Sequence, residues 1–414
     1  MKNVLIICSI FPPQSAIGGL RAAMFTKYLR DYGWNPYVLT RTYSKDDSRY
    51  DENMDIDLGV INNQIFRVKH SLIDEKKYLE KRTLIGKIRD FFYPEFSTPA
   101  GLYFKMKESA EVLIEKHKFD LILSTVPDQE CQTLGSFLSK KYKIPFIADF
   151  RDIKEQDEGL NHSLRDSLQR LRFLIRRYVT SRNASILTTV SEYHASILSK
   201  KLYRKTEIIY NGYDDDIFKT VESGLVSSRV FKIIYVGRIL DIWYRDPTIL
   251  LRAIDSLIKE HKILYNEVCI EFYGSDREKL EPIISQLENN NFIKFFPRIA
   301  YSDVPRKLNE AQMLLLLTNR GRKGILTTKF FEYAGVNKPI LCVPGDGDEL
   351  DTLISKYNLG YSIANIEELK SKIIEWLSLY KDGNFPKFID SDIAYFTRRN
   401  QTKKLSELFN SVIK

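Results

Sequence analysis

The residues best suited to chemistry lie in one run near the C-terminal end, Thr318-Asn319-Arg320-Gly321-Arg322-Lys323-Gly324-Ile325-Leu326-Thr327-Thr328-Lys329-Phe330-Phe331-Glu332-Tyr333-Ala334-Gly335. A glycine-punctuated loop feeds a helix that starts near Thr327 or Thr328. The start of a helix presents free N–H groups and a partial positive charge, which together suit a diphosphate. Lys329 adds a full charge in the first turn, where helix stability alone prefers an acid. Glu332 lies four residues beyond Thr328, so both face the same side. The bland alternative is a solvated glutamate and an unpartnered surface lysine.

Other candidates are spread along the chain. Gly18-Gly19 and Arg21 follow the apolar run Val4–Cys8 and the pair Pro12-Pro13. The glycines allow backbone N–H groups to approach a ligand, or else make a simple strand-to-helix turn. Asp149, Arg151 and Asp152 close a second apolar run, where such residues line a cleft or form a local ion-pair cluster. Gly237 and Arg238 close a third, with Arg245 shortly after; either arginine can neutralise a departing phosphate or sit in a surface salt bridge. Asp214-Asp215-Asp216 invites a metal reading, but its place after Asn211-Gly212 reads as a turn, and no metal is expected. The five histidines show neither triad nor metal spacing.

The elements that position these residues are parallel-sheet units. Short apolar runs alternate with helical patterns, as in sheets covered on both faces. Strands are expected at Val4–Cys8, Tyr37–Thr40, Leu121–Val126, Phe146–Phe150 and Ile186–Val190, with a helix from Leu20 to Tyr32 stopped by Gly33. A second series follows at Ile233–Gly237, Val268–Gly274, Ile293–Phe296, Met313–Leu317 and Pro339–Val343, with helices over Pro247–Glu260 and Glu349–Lys356. The fold expected is α/β, with Rossmann-like domains over 1–210 and 230–394, a hinge over 211–229, and a terminal helix at about 395–414 that packs back on the first domain. Ser44–Phe92 is polar and poorly periodic and reads as a mobile insertion. In such sheets ligands sit beyond the carboxyl ends of the strands, where all the candidates fall.

The bulk composition is that of an ordinary globular chain. Its 414 residues are 43% hydrophobic and 28% charged, with a formal net charge of +9. That charge suits phosphate-bearing ligands or anionic lipid; nucleic acid is not expected, since no aromatic platform or docking motif accompanies the basic residues. Cys8, Cys131, Cys269 and Cys342 are unpaired in spacing and fit a reducing cytoplasm. The N-terminal apolar run is too short for a signal peptide, and no stretch approaches the roughly 20 apolar residues that span a bilayer. The expected location is cytoplasmic, with peripheral contact on the inner face of the membrane as an option. That option comes from Ser163–Arg182, which holds six arginines (165, 170, 172, 176, 177, 182) and one acid, Asp166. Leu164, Leu168, Leu171, Ile175 and Tyr178 make an apolar stripe at helical spacing. Such a helix lies on anionic lipid, but more often packs its stripe on a core and leaves the cations in water.

Taken in order, these segments resemble the GT-B glycosyltransferases, specifically the large family 4-like group. The run Lys329-Phe330-Phe331-Glu332-Tyr333-Ala334 through Lys338-Pro339 resembles its donor-site helix, Ile209-Tyr210-Asn211-Gly212-Tyr213-Asp214 with Phe218 its hinge, and Tyr235-Val236-Gly237-Arg238 its first C-domain strand and loop. Asp149-Phe150-Arg151-Asp152, Thr189-Val190-Ser191-Glu192 and the loop ending at Arg21 match N-domain landmarks. The resemblance implies two domains facing each other across a cleft, and retaining transfer of a hexose from a nucleotide-sugar donor to a glycan or polyprenyl-linked acceptor. No cofactor and no metal are implied, and the setting is bacterial polysaccharide synthesis. By the same resemblance Glu332 holds the ribose, Lys329 clamps the diphosphate, Thr327, Thr328 and Gly237 frame the donor, and Gly18, Gly19, Arg21, Asp149, Arg151 and Asp152 line the acceptor side. Three features depart from the pattern. Gly324 stands where many members have a first glutamate. The loop after Leu121–Val126 has no histidine, and a Lys-Gly pair after Arg238 is missing. The departures keep two other activities open, a GT-B-like sugar-nucleotide epimerase or hydrolase and a catalytically silent scaffold subunit.

Overall fold

The computed structural model describes residues 1–14, 18–43, 45, 50, 58–69, 83–86, 102–125, 129–157, 164–218, 230–239, 241–319, 321–386 and 391–413. The chain forms two compact units, Met1–Tyr210 with Arg398–Lys414, and Asn211–Thr397.

The first unit is built on a seven-stranded parallel sheet in the order β3-β2-β1-β4-β5-β6-β7. Its strands are β1 (Lys2–Ile7), β2 (Trp34–Arg41), β3 (Ile65–Val68), β4 (Leu121–Thr125), β5 (Phe146–Phe150), β6 (Ile186–Thr189) and β7 (Thr206–Ile208). Between them run α1 (Gly18–Tyr28), α2 (Leu102–Lys116), α3 (Gln129–Tyr142), α4 (Leu164–Ser181) and α5 (Glu192–Leu202). Because side chains alternate along a strand, β1 feeds two cores. Leu5 and Ile7 join Leu134, Leu138 and Phe146 on one face, and Val4 and Ile6 join Phe25, Trp34 and Phe409 on the other. Phe409 belongs to the terminal helix, Arg398–Val412, and meets Trp34 edge-on with ring centroids 5.0 Å apart.

The expected Leu20–Tyr32 helix starts two residues earlier, and its last turn, Leu29–Tyr32, is 3₁₀, closed by Gly33 at φ +81°. The reading of Ser44–Phe92 as an insertion is corrected within Ile65–Val68, which pairs in parallel with Val38–Arg41 as an edge strand; most of that stretch lies outside the described residues.

The second unit has a six-stranded parallel sheet in the order β10-β9-β8-β11-β12-β13. Its strands are β8 (Phe231–Val236), β9 (Val268–Tyr273), β10 (Ile293–Phe296), β11 (Met313–Leu316), β12 (Ile340–Cys342) and β13 (Gly360–Ser362). The helices are α6 (Asp215–Phe218), α7 (Thr248–Lys259), α8 (Arg277–Ile284), α9 (Val304–Asn309), α10 (Thr328–Gly335), α11 (Glu349–Lys356) and α12 (Ile366–Lys381). Here too the core is continuous, from Ile233 and Ile270 to Leu315, Leu341 and Trp376. All four cysteines are buried thiols, and burial pushes Cys8 up to about 12. Among the described residues no helix is long and apolar enough to cross a membrane.

In both sheets the chain reverses its direction of travel beside the first strand, between β1 and β4 and between β8 and β11. That reversal opens a crevice at the strands' carboxyl ends.

Candidate active site

The crevice of the second unit holds the predicted loop and helix. α10 begins at Thr328, after Thr327 in extended conformation at φ −72° and ψ 154°, and the Thr327 side chain does not cap the helix. The Thr327 hydroxyl is buried without a hydrogen-bond partner among the described residues. What fixes the helix is Tyr333: its buried hydroxyl accepts from the Val236 N–H at 3.1 Å, tying α10 to the last residue of β8. Burial drives the Tyr333 phenol far above its ordinary range, so the hydroxyl stays neutral, with Glu332 reinforcing and Arg245 opposing that shift.

One turn back from Tyr333, Lys329 lies over the loop after β8. A Cβ built on Gly237 would stand 2.4 Å from Lys329 Cε and 2.6 Å from Nζ. Gly237 also has φ +132°, which L side chains rarely adopt, so both its shape and its neighbour require glycine. Its own backbone is held at both ends: the N–H donates to Tyr273 O at 2.8 Å, and the carbonyl accepts from Ser275 Oγ at 2.6 Å. Lys329 is only 9% exposed. Its ammonium lies 5.4 Å from the centre of the Tyr235 ring, and among the described residues no carboxylate or other acceptor pairs with it. The Tyr235 hydroxyl is itself buried without a hydrogen-bond partner among the described residues. The second unit thus presents a nearly buried cation, an uncapped helix start and orphaned hydroxyls at its topological switch point. This constellation suits a phosphate group.

The structure separates the two candidate arginines. Arg238 is exposed, whereas Arg245 is half-buried and folds back, donating from its guanidinium to the Arg238 carbonyl at 3.0 Å. Glu332 is half-buried on α10. Gly324 is buried at φ +68°, and its N–H donates to Asp348 Oδ2 at 2.9 Å, so a carboxylate from the next loop stands beside it. Tyr333, Ser275 and Asp348 were not singled out from sequence. Tyr333 stands inside the motif, but nothing in its spacing shows that its hydroxyl would reach another strand.

In the first unit the candidates divide. Arg21 and Asp149 are buried, at 2% and 1% exposure, and form a two-pronged ion pair at 3.0 and 2.8 Å. Arg21 also donates to Tyr210 O at 3.1 Å, and Asp149 accepts from Thr125 and Thr188. Burial alone would raise the Asp149 carboxyl. The Arg21 charge and these hydrogen bonds overcome it and hold the group below its usual range. The expectation that Arg21 and Asp149 line a cleft is corrected: they face each other inside the domain and lock α1 to the end of β5.

Arg151 and Asp152 are nearer the surface and pair through Arg151 Nε and Asp152 Oδ2 at 2.9 Å. The glycine pair fits around them. A Cβ on Gly18 would meet the Arg151 guanidinium at 2.2 Å, and one on Gly19 would meet the Phe11 backbone at 3.0 Å. Close packing against backbone thus accounts for Gly19, whereas the neighbour of Gly18 is the movable end of Arg151. The carboxylates of Asp214, Asp215 and Asp216 come within 4.8 Å of one another, yet Asp214 Oδ1 accepts from the Asp216 N–H as the turn reading requires.

No protein-family model and no curated protein matches the chain. Solved structures do match over its whole length. Sucrose-phosphate synthase from Thermosynechococcus elongatus aligns with a TM-score of 0.67 at 12% identity, covering 99% of both chains. Anabaena HepE in complex with UDP gives 0.64 at 15%, covering 99% of this chain and 100% of that one. A glycosyltransferase from Rickettsia africae gives 0.65 at 13%, covering 100% and 99%. At such identities the likeness establishes the fold: GT-B type, with two Rossmann-like units in one chain.

Proposed function

We propose that the chain is a glycosyltransferase of the family 4-like group. It moves a sugar from a nucleoside diphosphate to a glycan or polyprenyl-linked acceptor in bacterial polysaccharide synthesis. In this reading the second unit binds the nucleotide and the first the acceptor, near Gly18, Arg151 and Asp152. Transfer retains the anomeric configuration, needs no metal, and takes place on the cytoplasmic side, at or near the membrane.

The observation that carries the reading is Lys329, a nearly buried ammonium held against Gly237 with no anionic partner among the described residues. Burying an unpaired charge costs several kcal/mol, a cost offset when a ligand phosphate supplies the counter-charge. As the glycosidic bond breaks, the sugar becomes oxocarbenium-like and negative charge grows on the departing diphosphate. Lys329, Arg245 and the α10 N–H groups stabilise that charge. Glu332 accepts from the ribose hydroxyls equally in ground and transition states, so its contribution is to binding rather than rate.

Those roles separate experimentally. A charged hydrogen bond is worth about 1.5–3 kcal/mol, so Glu332→Ala weakens nucleoside diphosphate binding by about ten- to over a hundredfold. Lys329→Met lowers single-turnover transfer by about 10²–10³, with a smaller effect on affinity. Titration calorimetry with UDP, ADP and GDP gives the first term, and rapid-quench transfer the second. Wild-type nucleotide affinity in Glu332→Ala would remove this helix from the donor site and the assignment with it.

A further inference from the structure

The helix α4, Leu164–Ser181, is mounted the wrong way round for a helix that stabilises its own domain. Its inward side sets polar groups beside the half-buried Phe173 and Leu174. Arg177, buried, makes two hydrogen bonds to the buried Glu155 at 2.7 and 3.0 Å, and Lys201 adds a third contact at 3.2 Å. The Phe173 carbonyl accepts from Gln129, and the Ser181 carbonyl from Arg204. Its outward side is apolar: Leu164, Leu168, Leu171, Ile175, Tyr178 and Val179 are 44–88% exposed. The sequence favoured the opposite arrangement, with the stripe on a core and the cations in water. That expectation is corrected by the ion pair: once Arg177 is the anchor, the stripe follows α-helical geometry to the far side.

These six residues form one convex strip along a helix of 18 residues, about 27 Å long. Cations border it. Arg172 and Arg176, both half-buried, each follow a stripe residue and so sit about 100° around the helix on one border, and Arg182, exposed, lies at the end, whereas Arg170, seven residues before Arg177, shares the inward face. Asp166 is the one acid in the helix. Arginines along one border and at the end of an apolar strip can reach headgroup phosphates while the strip enters the acyl boundary. A protein partner would need acids facing that border, whereas an anionic bilayer supplies phosphate everywhere along it.

We infer that α4 is a membrane-docking helix, lying in the plane of an anionic lipid surface with Leu168, Leu171 and Ile175 inserted. The inference is independent of the glycosyl-transfer reading, because it rests on residues of the first unit and needs no nucleotide.

Vesicle sedimentation of the full chain tests it, with equimolar phosphatidylglycerol and phosphatidylcholine against phosphatidylcholine alone. The anionic vesicles bind the chain, and binding falls with salt, since exposed attraction is screened within about 10 Å at 0.1 M. Replacing Leu168, Leu171 and Ile175 together by serine weakens binding by about a hundredfold or more, at roughly tenfold for each partly inserted side chain. Those side chains are half-exposed, so the melting temperature stays near that of the wild type. Arg172→Gln with Arg176→Gln lowers binding to anionic vesicles and flattens its salt dependence, while Arg177 is left in place to preserve the fold. Absence of wild-type binding, equal binding to neutral vesicles, or wild-type binding by the triple serine variant would each overturn the proposal. So would a lipid-independent dimer that the serine variant dissolves.

Discussion

Replacing Gly237 by alanine probes the contact on which the donor-site reading depends. The new methyl group would lie 2.4 Å from Lys329 Cε and 2.6 Å from Nζ, where carbon contacts need at least about 3.5 Å. The flexible lysine therefore withdraws its ammonium by about 1 Å or more. The backbone does not yield as easily, because φ +132° is nearly closed to alanine and costs about 1–3 kcal/mol to hold. At roughly 2–4 °C for each kcal/mol in a unit of this size, the melting temperature drops by about 2–12 °C. Moving the ammonium away loses part of a charged hydrogen bond, so nucleoside diphosphate affinity falls by about three- to tenfold. Thermal melts and titration calorimetry on one preparation read both quantities. A lowered melt together with unchanged nucleotide affinity would refute the reasoning, because the lysine would then have moved without consequence for the ligand.

Two further substitutions probe the supports. Tyr333→Phe leaves the Val236 N–H without its acceptor, lowering stability in thermal melts by about 1–3 kcal/mol and, through the slackened helix, nucleotide affinity by a smaller factor than Lys329→Met does. Arg177→Gln strands the Glu155 carboxylate and costs about 3–5 kcal/mol in urea unfolding, whereas Gln at Arg172 costs far less. The same pair sets an acid limit. Burial alone would raise Glu155, but the hydrogen bonds and charge of Arg177, with Lys201, hold it down at about 2. A carboxyl depressed in the folded state contributes stability above its unfolded value near 4.3, and loses it as pH falls toward 2. Acid unfolding of the wild type should show a loss of about 2–3 kcal/mol across that window, absent in a Glu155→Gln/Arg177→Met double variant.

How much of this was legible in the sequence depended on whether the signal was local. Phe146–Phe150 and Ile293–Phe296 match their strands at both ends, because each is a short, mostly apolar run begun and ended by an apolar residue. The strands Ile65–Val68, Thr206–Ile208 and Gly360–Ser362 were missed: each is short, carries polar residues and sits at a sheet edge, where half-solvated pairing leaves no continuous apolar run. The helix start at Thr328 was legible from its glycine-rich approach. Its meeting with Gly237 was not, because only the order β8-β11 brings residues so distant in the chain together. The orientation of α4 was misjudged for a related reason. Periodicity defines two faces of a helix, but which face turns inward was decided by Glu155, a residue outside the helix.

The two crevices also explain each other. Each has a cation in the opening turns of the helix that enters it, Arg21 on α1 and Lys329 on α10, and both cations are at least nine-tenths buried. Arg21 meets a carboxylate of its own domain, three further hydrogen bonds complete the cluster, and the charge is consumed in joining α1 to β5. Lys329 meets a glycine with no side chain and the face of an aromatic ring. A ring face offsets about 0.5–2 kcal/mol, well short of the several kcal/mol of effective desolvation for a buried ammonium. A fold that needed Lys329 only for its own stability would gain by placing a carboxylate at position 237 or a neutral residue at 329. It has instead a glycine held at φ +132°, which keeps the approach to the ammonium open. Of the two buried cations, Lys329 is the one without a counter-charge among the described residues, and that difference supports the proposal that the second unit binds the nucleotide diphosphate.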